Sequence, residues 1–330
     1  MKHLFVINSH TTCMSALGTI EYLHLNDEDI VFVLVRNYKN ILIQGKFKEV
    51  DLSWAYSYQY FNSPFSCHRA IKKIDKQIKE GVGNNKYVMY AANPGGVRIL
   101  QIIFTNSLCS GFNYLQEGAL VLNGLLKERP LPISRKVLDV FYRIFLGHRL
   151  WASYFSWRVP YFVKDERSNP VCYALNDSIF KELGYKQKSI SWPKFKIENK
   201  YAIDPQYPCF IFESSVEMNI IEKEIYMHFV EELIEKAAGT MNYFKFHPYQ
   251  SAENKEYIIG LFSKRGLQYK ELSMEFPFEV YLSSYDKLTI LGFKSSLLVF
   301  AKELGHNTLS LENELLANSS KYRHWRQNVE

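Results

Sequence analysis

Short apolar runs alternate with stretches of helical spacing along the whole chain, and this alternation limits the fold more than any other feature. In the first half, residues 3–8, 30–35, 86–91, 112–115 and 171–175 read as strands. Helical spacing covers about 14–25, 67–79 and 97–104, and a further helix is expected from about Asn176. In the second half, 209–213, 241–246, 267–272, 287–291 and 307–311 read as strands. Helices are expected at about 216–238, 252–264 and 295–304, and a basic helix ends the chain. Strands separated by helices require parallel βαβ units. Residues 187–208 lack periodicity and carry Pro193, Pro205 and Pro208, as an interdomain linker does. The expected organisation is α/β, with Rossmann-like domains over 1–200 and 201–330 and no internal sequence repeat.

In open parallel sheets ligands bind beyond the carboxyl ends of the strands, so the residues that follow each run are the candidates. His247-Pro248 closes the aromatic run 241–246. Pro248 fixes its own φ and keeps His247 out of helical geometry, which holds the imidazole at the strand's end. Gln116-Glu117-Gly118 closes the run 112–115. Glu117 there is either a solvated or capping charge or a general base at a cleft edge, with Gly118 permitting close approach. Gly292-Phe293-Lys294-Ser295-Ser296 leads from a strand into a helix. Ser295 and Ser296 are either ordinary N-capping residues or, with the helix N–H groups, an anion site to which Lys294 and Lys245 add charge. The turn Asn93-Pro94-Gly95-Gly96 is a strand-to-helix connection or a ligand cradle.

Charge separates the halves further. The 330 residues carry a formal charge of +6, and residues 127–200 alone hold 15 Lys/Arg against 7 Asp/Glu. Within this region, 134–162 interleaves Phe141, Tyr142, Phe145, Trp151, Tyr154, Phe155, Trp157 and Tyr161 with Arg135, Lys136, Arg143, Arg149 and Arg158. That pattern is either a helix packing its rings on the core or an interfacial segment on an anionic membrane. No nucleic-acid module accompanies it, so nucleic acid is not an expected partner. Five scattered cysteines without a C-x-x-C pair argue against a disulfide framework or a zinc site. The first apolar run is too short for a signal peptide or a membrane span. No Asp-x-Asp or His/Cys cluster suggests a divalent metal.

In chain order, an acidic residue with glycine, then His-Pro, then Ser-Ser resembles the bacterial lipooligosaccharide sialyltransferases (glycosyltransferase family 52) and the related capsular polysialyltransferases. The stretch around Pro277-Phe278-Glu279 and Gly292 to Ser296 is also similar to that family, and the likeness covers chiefly 207–311. The resemblance implies a GT-B architecture, two Rossmann-like domains with parallel sheets facing a central cleft. It implies an inverting transfer of sialic acid, or a related nonulosonic acid, from a CMP-activated donor to a hydroxyl of a bacterial surface glycan. No cofactor or metal is implied. Carried over by position, Glu117 is the base and His247 the phosphate ligand and acid. Gly118, Pro248, Lys294, Ser295 and Ser296 shape the substrate site, and Glu279 meets the ribose. The family has two acidic residues before the glycine, whereas this chain has Gln116. Expected partners are the CMP-sialic acid donor, a glycan or glycolipid acceptor and an anionic membrane surface, with a homo-oligomer open. The expected location is the cytoplasm or the cytosolic face of the inner membrane. Two other functions fit the residues: a GT-B glycosyltransferase with a different nucleotide sugar, and a non-catalytic membrane- or polyanion-binding protein on this scaffold.

Overall fold

The computed structural model describes the chain except residues 40, 58–60, 62, 93–97, 119–132, 134–136, 138–139, 142–143, 148, 151–169, 177–179, 181–185, 238 and 330. The turn at 93–96 and most of the basic-aromatic segment therefore lie outside the described residues. Two compact units form the chain, Met1–Pro193 and Lys194–Glu330.

The first unit is built on a seven-stranded sheet in the order β3-β2-β1-β4-β5-β6-β7. Its strands are β1 (Lys2–Ile7), β2 (Ile30–Leu34), β3 (Lys48–Asp51), β4 (Tyr87–Ala91), β5 (Cys109–Leu115), β6 (Val171–Ala174) and β7 (Lys186–Ser189). Every pairing is parallel. Every residue of β2, Ile-Val-Phe-Val-Leu, is buried, as a strand covered on both faces requires. Val31 and Val33 join a core with Ile71, Ile74 and Ile78 of α2 (Pro64–Val82) and with α3 (Arg98–Phe104). Phe5 and Phe32 join the opposite core with Cys13 and Ala16 of α1 (His10–Tyr22). The chain order turns back at β1, with β2 on one side and β4 on the other, which places a topological switch point between β1 and β4.

The second unit repeats the plan in five parallel strands, ordered β10-β9-β8-β11-β12. They are β8 (Cys209–Phe212), β9 (Met241–Phe246), β10 (Gln268–Glu271), β11 (Thr289–Gly292) and β12 (Asn307–Ser310). The helices are α4 (Lys223–Ala237), α5 (Ala252–Lys264), α6 (Phe278–Ser284), α7 (Ser296–Glu303), α8 (Glu312–Asn318) and α9 (Ser320–Val329). Here the order turns back at β8, beside β11. Both units are thus doubly wound α/β layers on parallel sheets, the pair of domains from which a GT-B chain is made.

Four local differences from the sequence reading have clear causes. Helix α1 starts at His10, before the expected 14, because Ser9 and Thr12 form a reciprocal capping box. β3 and β7 escaped detection because both are short, polar edge strands with little apolar alternation. Part of the expected linker is therefore β7. Helix α4 starts at Lys223, after the expected 216; turns follow Ser214-Ser215, with Asn219 at φ 59°. All five cysteines are buried and free.

Candidate functional site

In the first unit the carboxyl edge at the switch point forms a pocket of about 130 Å³. Asn8 follows β1, Arg36 follows β2, Ala92 follows β4 and Glu117 follows β5, and Tyr56 closes one side. The Asn8 amide donates to Glu117 Oε1 at 2.7 Å, and the Arg36 guanidinium lies 3.5 Å from the same oxygen. Burial pushes the Glu117 carboxyl above its usual range, and the Asn8 hydrogen bond and the Arg36 charge partly offset that rise. A half-buried carboxylate of raised basicity, with a donor fixing its rotamer, is a suitable proton acceptor. Arg36 and Asn37 both sit at positive φ, 59° and 56°. A left-handed pair of non-glycine residues is costly and marks a backbone held by its surroundings. Two contacts hold it here: Val35 N–H donates to Ile7 O, and Asn37 N–H to Ser53 Oγ.

Gln116 does not share this pocket. Its side chain is fully buried, with Oε1 accepting the Asn176 N–H at 3.0 Å, and its carbonyl accepts from Ser15 Oγ. It ties β5 to the turn after β6. The position where the resembling family has an acid is therefore structural in this chain, and Glu117 alone of the two faces the pocket.

In the second unit, His247 follows β9 and is anchored to the central strand by its N–H donating to Phe212 O at 3.0 Å. The Tyr249 N–H donates to His247 Nδ1 at 3.2 Å. Nδ1 is thus an acceptor, and the neutral ring carries its proton on Nε2, the atom left to donate to a ligand. Burial lowers the His247 pKa, and the charge of Glu217 partly restores it. Glu217 is itself occupied, accepting from Ser251 N–H at 2.8 Å and Asn254 Nδ2 at 2.7 Å. Pro248 is exposed in the following turn.

Ser295 is the N-cap of α7, with Oγ accepting the Leu297 N–H at 3.2 Å, and Ser296 is its first helical residue. The helix starts close to the central strand because Gly292 has no side chain. A Cβ there would lie 2.8 Å from Ile211 O of β8. Glu279 is buried in the first turn of α6, where its charge favours the protonated form of Lys245.

The two lysines read as extra positive charge for an anion are placed otherwise. Lys245 Nζ donates to Ser273 O and Phe276 O, and burial lowers its pKa to about 8. Lys294 is 9% exposed, 3.7 Å from Glu312 and over the ring of Trp325, with the Glu213 carboxyl nearby. Both ammonium groups serve the interior. Arg149, in the basic-aromatic stretch, makes two 2.7 Å hydrogen bonds to Asp75.

Sequence reasoning missed Asn8, Arg36, Tyr56 and Glu217. Asn8 and Arg36 carried a usable signal, since each is the first polar residue after an apolar strand run. Among the described residues, no group of three or more His, Cys, Asp or Glu is arranged to hold a metal ion, and no helix is long and apolar enough to cross a membrane.

No family model matches the sequence, and no curated protein matches it. Solved structures match along nearly the whole chain. A glycosyltransferase from Rickettsia africae is 12% identical, with 99% of this chain and 93% of that chain covered at a TM-score of 0.47. HepE from Anabaena, solved with UDP and glucose, is 12% identical over 96% of this chain and 88% of its own, at 0.46. UDP-GlcNAc 2-epimerase from Neisseria meningitidis, bound to UDP-GlcNAc, is 13% identical over 96% and 85%, at 0.44. Likeness at this level concerns the path of the backbone and carries nothing about reaction or ligand.

Proposed function

We propose that the protein is an inverting glycosyltransferase that takes its sugar from a nucleotide-activated donor. The observation that carries this reading is the placing of one reactive group at the carboxyl edge of each parallel sheet: a raised-pKa carboxylate, Glu117, in the first unit, and an Nε2–H donor, His247, in the second. In the proposed reaction Glu117 takes the proton of an acceptor hydroxyl, and the oxygen attacks the donor's anomeric carbon. The bond from that carbon to the nucleotide phosphate breaks, and the phosphate leaves with the electron pair. His247 Nε2–H, the Ser295 and Ser296 hydroxyls and the first N–H groups of α7 stabilise the departing charge. Glu279 contacts the donor ribose, and Gly118 and Pro248 leave room for substrate. No divalent metal takes part in this scheme.

For the donor, the ordered motifs favour a CMP-activated nonulosonic acid such as sialic acid, passed to a glycan or glycolipid of a bacterial surface. A uridine-linked sugar is the second reading, because groups that meet phosphate and acceptor at the strand ends do not by themselves select the base of the nucleotide. Work on such an acceptor would place the enzyme at the cytosolic face of the inner membrane.

A thermal-shift series with CMP, CDP, UMP and UDP, each with and without EDTA, tests the proposal. A ligand at one hundred times its Kd stabilises by about 2.7 kcal/mol. Stabilisation by CMP alone, unchanged by EDTA, supports the sialyltransferase reading. Stabilisation by UDP selects the second donor, and loss of the shift in EDTA removes the metal-free scheme. No shift with any nucleotide contradicts a nucleotide-sugar enzyme.

A further inference from the structure

On the surface of the first unit an apolar helical stripe points outward instead of into a core. Val137, Val140, Phe141, Ile144 and Phe145 are helical and exposed, with Ile133 one turn before them. Their spacing of three and four residues puts them on one face. The segment is nevertheless firmly attached. Leu146 and Leu150 are buried in the core beside α2. Arg149 bonds Asp75 of α2 through both terminal nitrogens, donates through Nε to Thr105 Oγ1 at 2.9 Å and reaches Ile102 O. One side of the segment is therefore locked onto α2 and α3, while Val137, Val140, Phe141, Ile144 and Phe145 keep about half or more of their surface exposed.

The first turn of α2 extends the patch. Phe65 is 73% exposed and meets Phe145 edge to face, 6.1 Å between ring centres, and Phe145 stacks on Phe141 at 5.7 Å. Between them Phe65, Phe145, His68 and Arg69 line an open groove of about 510 Å³. Along α2, His68, Arg69 and Lys72 are exposed, and residues 65–74 contain no acid. Asp75, the first acid in α2, is already bound by Arg149. An outward apolar stripe with rings at its centre and cations along one border matches the two layers of an anionic bilayer surface, acyl chains beside phosphates. The long stems of Arg69 and Lys72 allow their charges to reach phosphate depth while the rings sit lower.

The geometry points to this face as a docking surface for an anionic lipid bilayer. Phe65, Phe141, Ile144 and Phe145 enter the acyl boundary, and His68, Arg69 and Lys72 meet lipid phosphate. This deepens the proposed location at a membrane but stands on the first unit's surface alone, and it needs no particular nucleotide or acceptor. It also reassigns the lipid contacts: Arg149 is an anchor, and the phosphate-facing cations come from α2.

Co-sedimentation of the full chain with phosphatidylcholine vesicles, with and without phosphatidylglycerol, tests it. Expected is binding that needs phosphatidylglycerol and weakens with added salt, since surface charge is screened. Phe65→Ser/Phe145→Ser and, separately, Arg69→Glu/Lys72→Glu should each lower vesicle affinity about tenfold or more. Leu309→Ser, an exposed apolar change in the second unit, should leave it unaltered. Phe65 and Phe145 project into solvent, so an unchanged unfolding midpoint for the first double variant separates lost binding from lost fold. No vesicle binding, equal binding to neutral vesicles, or full binding by either double variant overturns the proposal. Self-association that disappears in Phe65→Ser/Phe145→Ser without any lipid binding also overturns it and makes the face a contact between copies. The nucleotide thermal shift is read separately, so failure here leaves the nucleotide site to its own test.

Discussion

Glu117 and His247 both stand just past the end of a parallel strand, and burial pushes both toward their neutral forms, yet they are held in opposite ways. Glu117 is tuned at long range: Asn8 comes from the end of β1 and Arg36 from the end of β2, on the far side of the switch point. His247 is set locally, by the Tyr249 N–H two residues on and by the Gln250 N–H donating to its carbonyl, with one bond to β8. A group that must gain and lose a proton benefits from a hydrogen-bond donor and a nearby charge that together adjust its pKa. A group that must present one hydrogen to a phosphate needs a fixed tautomer, and a tight turn supplies that. The difference suits a base in one unit and a leaving-group ligand in the other.

The largest expected effect is at Glu117, the proposed base. Glu117→Gln keeps the Asn8 contact and the shape of the pocket but accepts no proton, so turnover of the stabilising donor should fall by about 10²–10⁴-fold. Steady-state release of nucleotide measures this, and turnover near wild type would remove Glu117 from the chemistry.

The next effect sharpens the comparison from inside the second unit. Burial raises the Glu213 carboxyl to about 8 against an ordinary 4.5; the Ser215 hydrogen bond and Lys294 lower it, and Glu312 raises it. A folded-state pKa above the unfolded one means stability is fully present below the unfolded value and lost as pH climbs to the folded one. The second unit should therefore lose stability, of the order of a few kcal/mol, between about pH 4.5 and pH 8. Denaturant unfolding across that range should show the decline in the wild type and a flatter profile in Glu213→Gln.

A smaller effect isolates the long-range tuning. Arg36 favours the ionised form of Glu117, so Arg36→Ala should raise the carboxyl further and move the acid limb of the pH–rate profile to higher pH. The guanidinium is about half exposed, which limits the move to about one pH unit or less. Arg36→Lys should recover part of it. A change in rate without a change in the limb would make Arg36 a substrate contact instead of a positioning residue.

The same contrast explains what could be read from the chain before its structure. Parallel sheets were legible because both of their faces are covered, so runs such as Ile-Val-Phe-Val-Leu carry the signal in themselves. His247-Pro248 and Ser295-Ser296 were legible because the geometry that places them is local. The partners of Glu117 were not, since Asn8 and Arg36 reach it through strand order, which no short motif encodes. The contacts of Lys245 and Lys294 were hidden for a related reason: their neighbours in sequence suggest an anion, while carbonyls and a carboxylate from distant elements lie against them. Gln116 looked like a departure within the site, and Asn176, sixty residues on, gives it another task.

Calorimetric titration of CMP and UMP into the wild type, Glu117→Gln and His247→Ala tests most directly the claim that base and leaving-group ligand are divided between the units. The account predicts one nucleotide binding wild type and Glu117→Gln alike, and His247→Ala about tenfold or more weaker, as loss of a hydrogen bond to a charged group costs about 1.5–3 kcal/mol. Equal affinity in wild type and His247→Ala, or binding lost in Glu117→Gln, would contradict it.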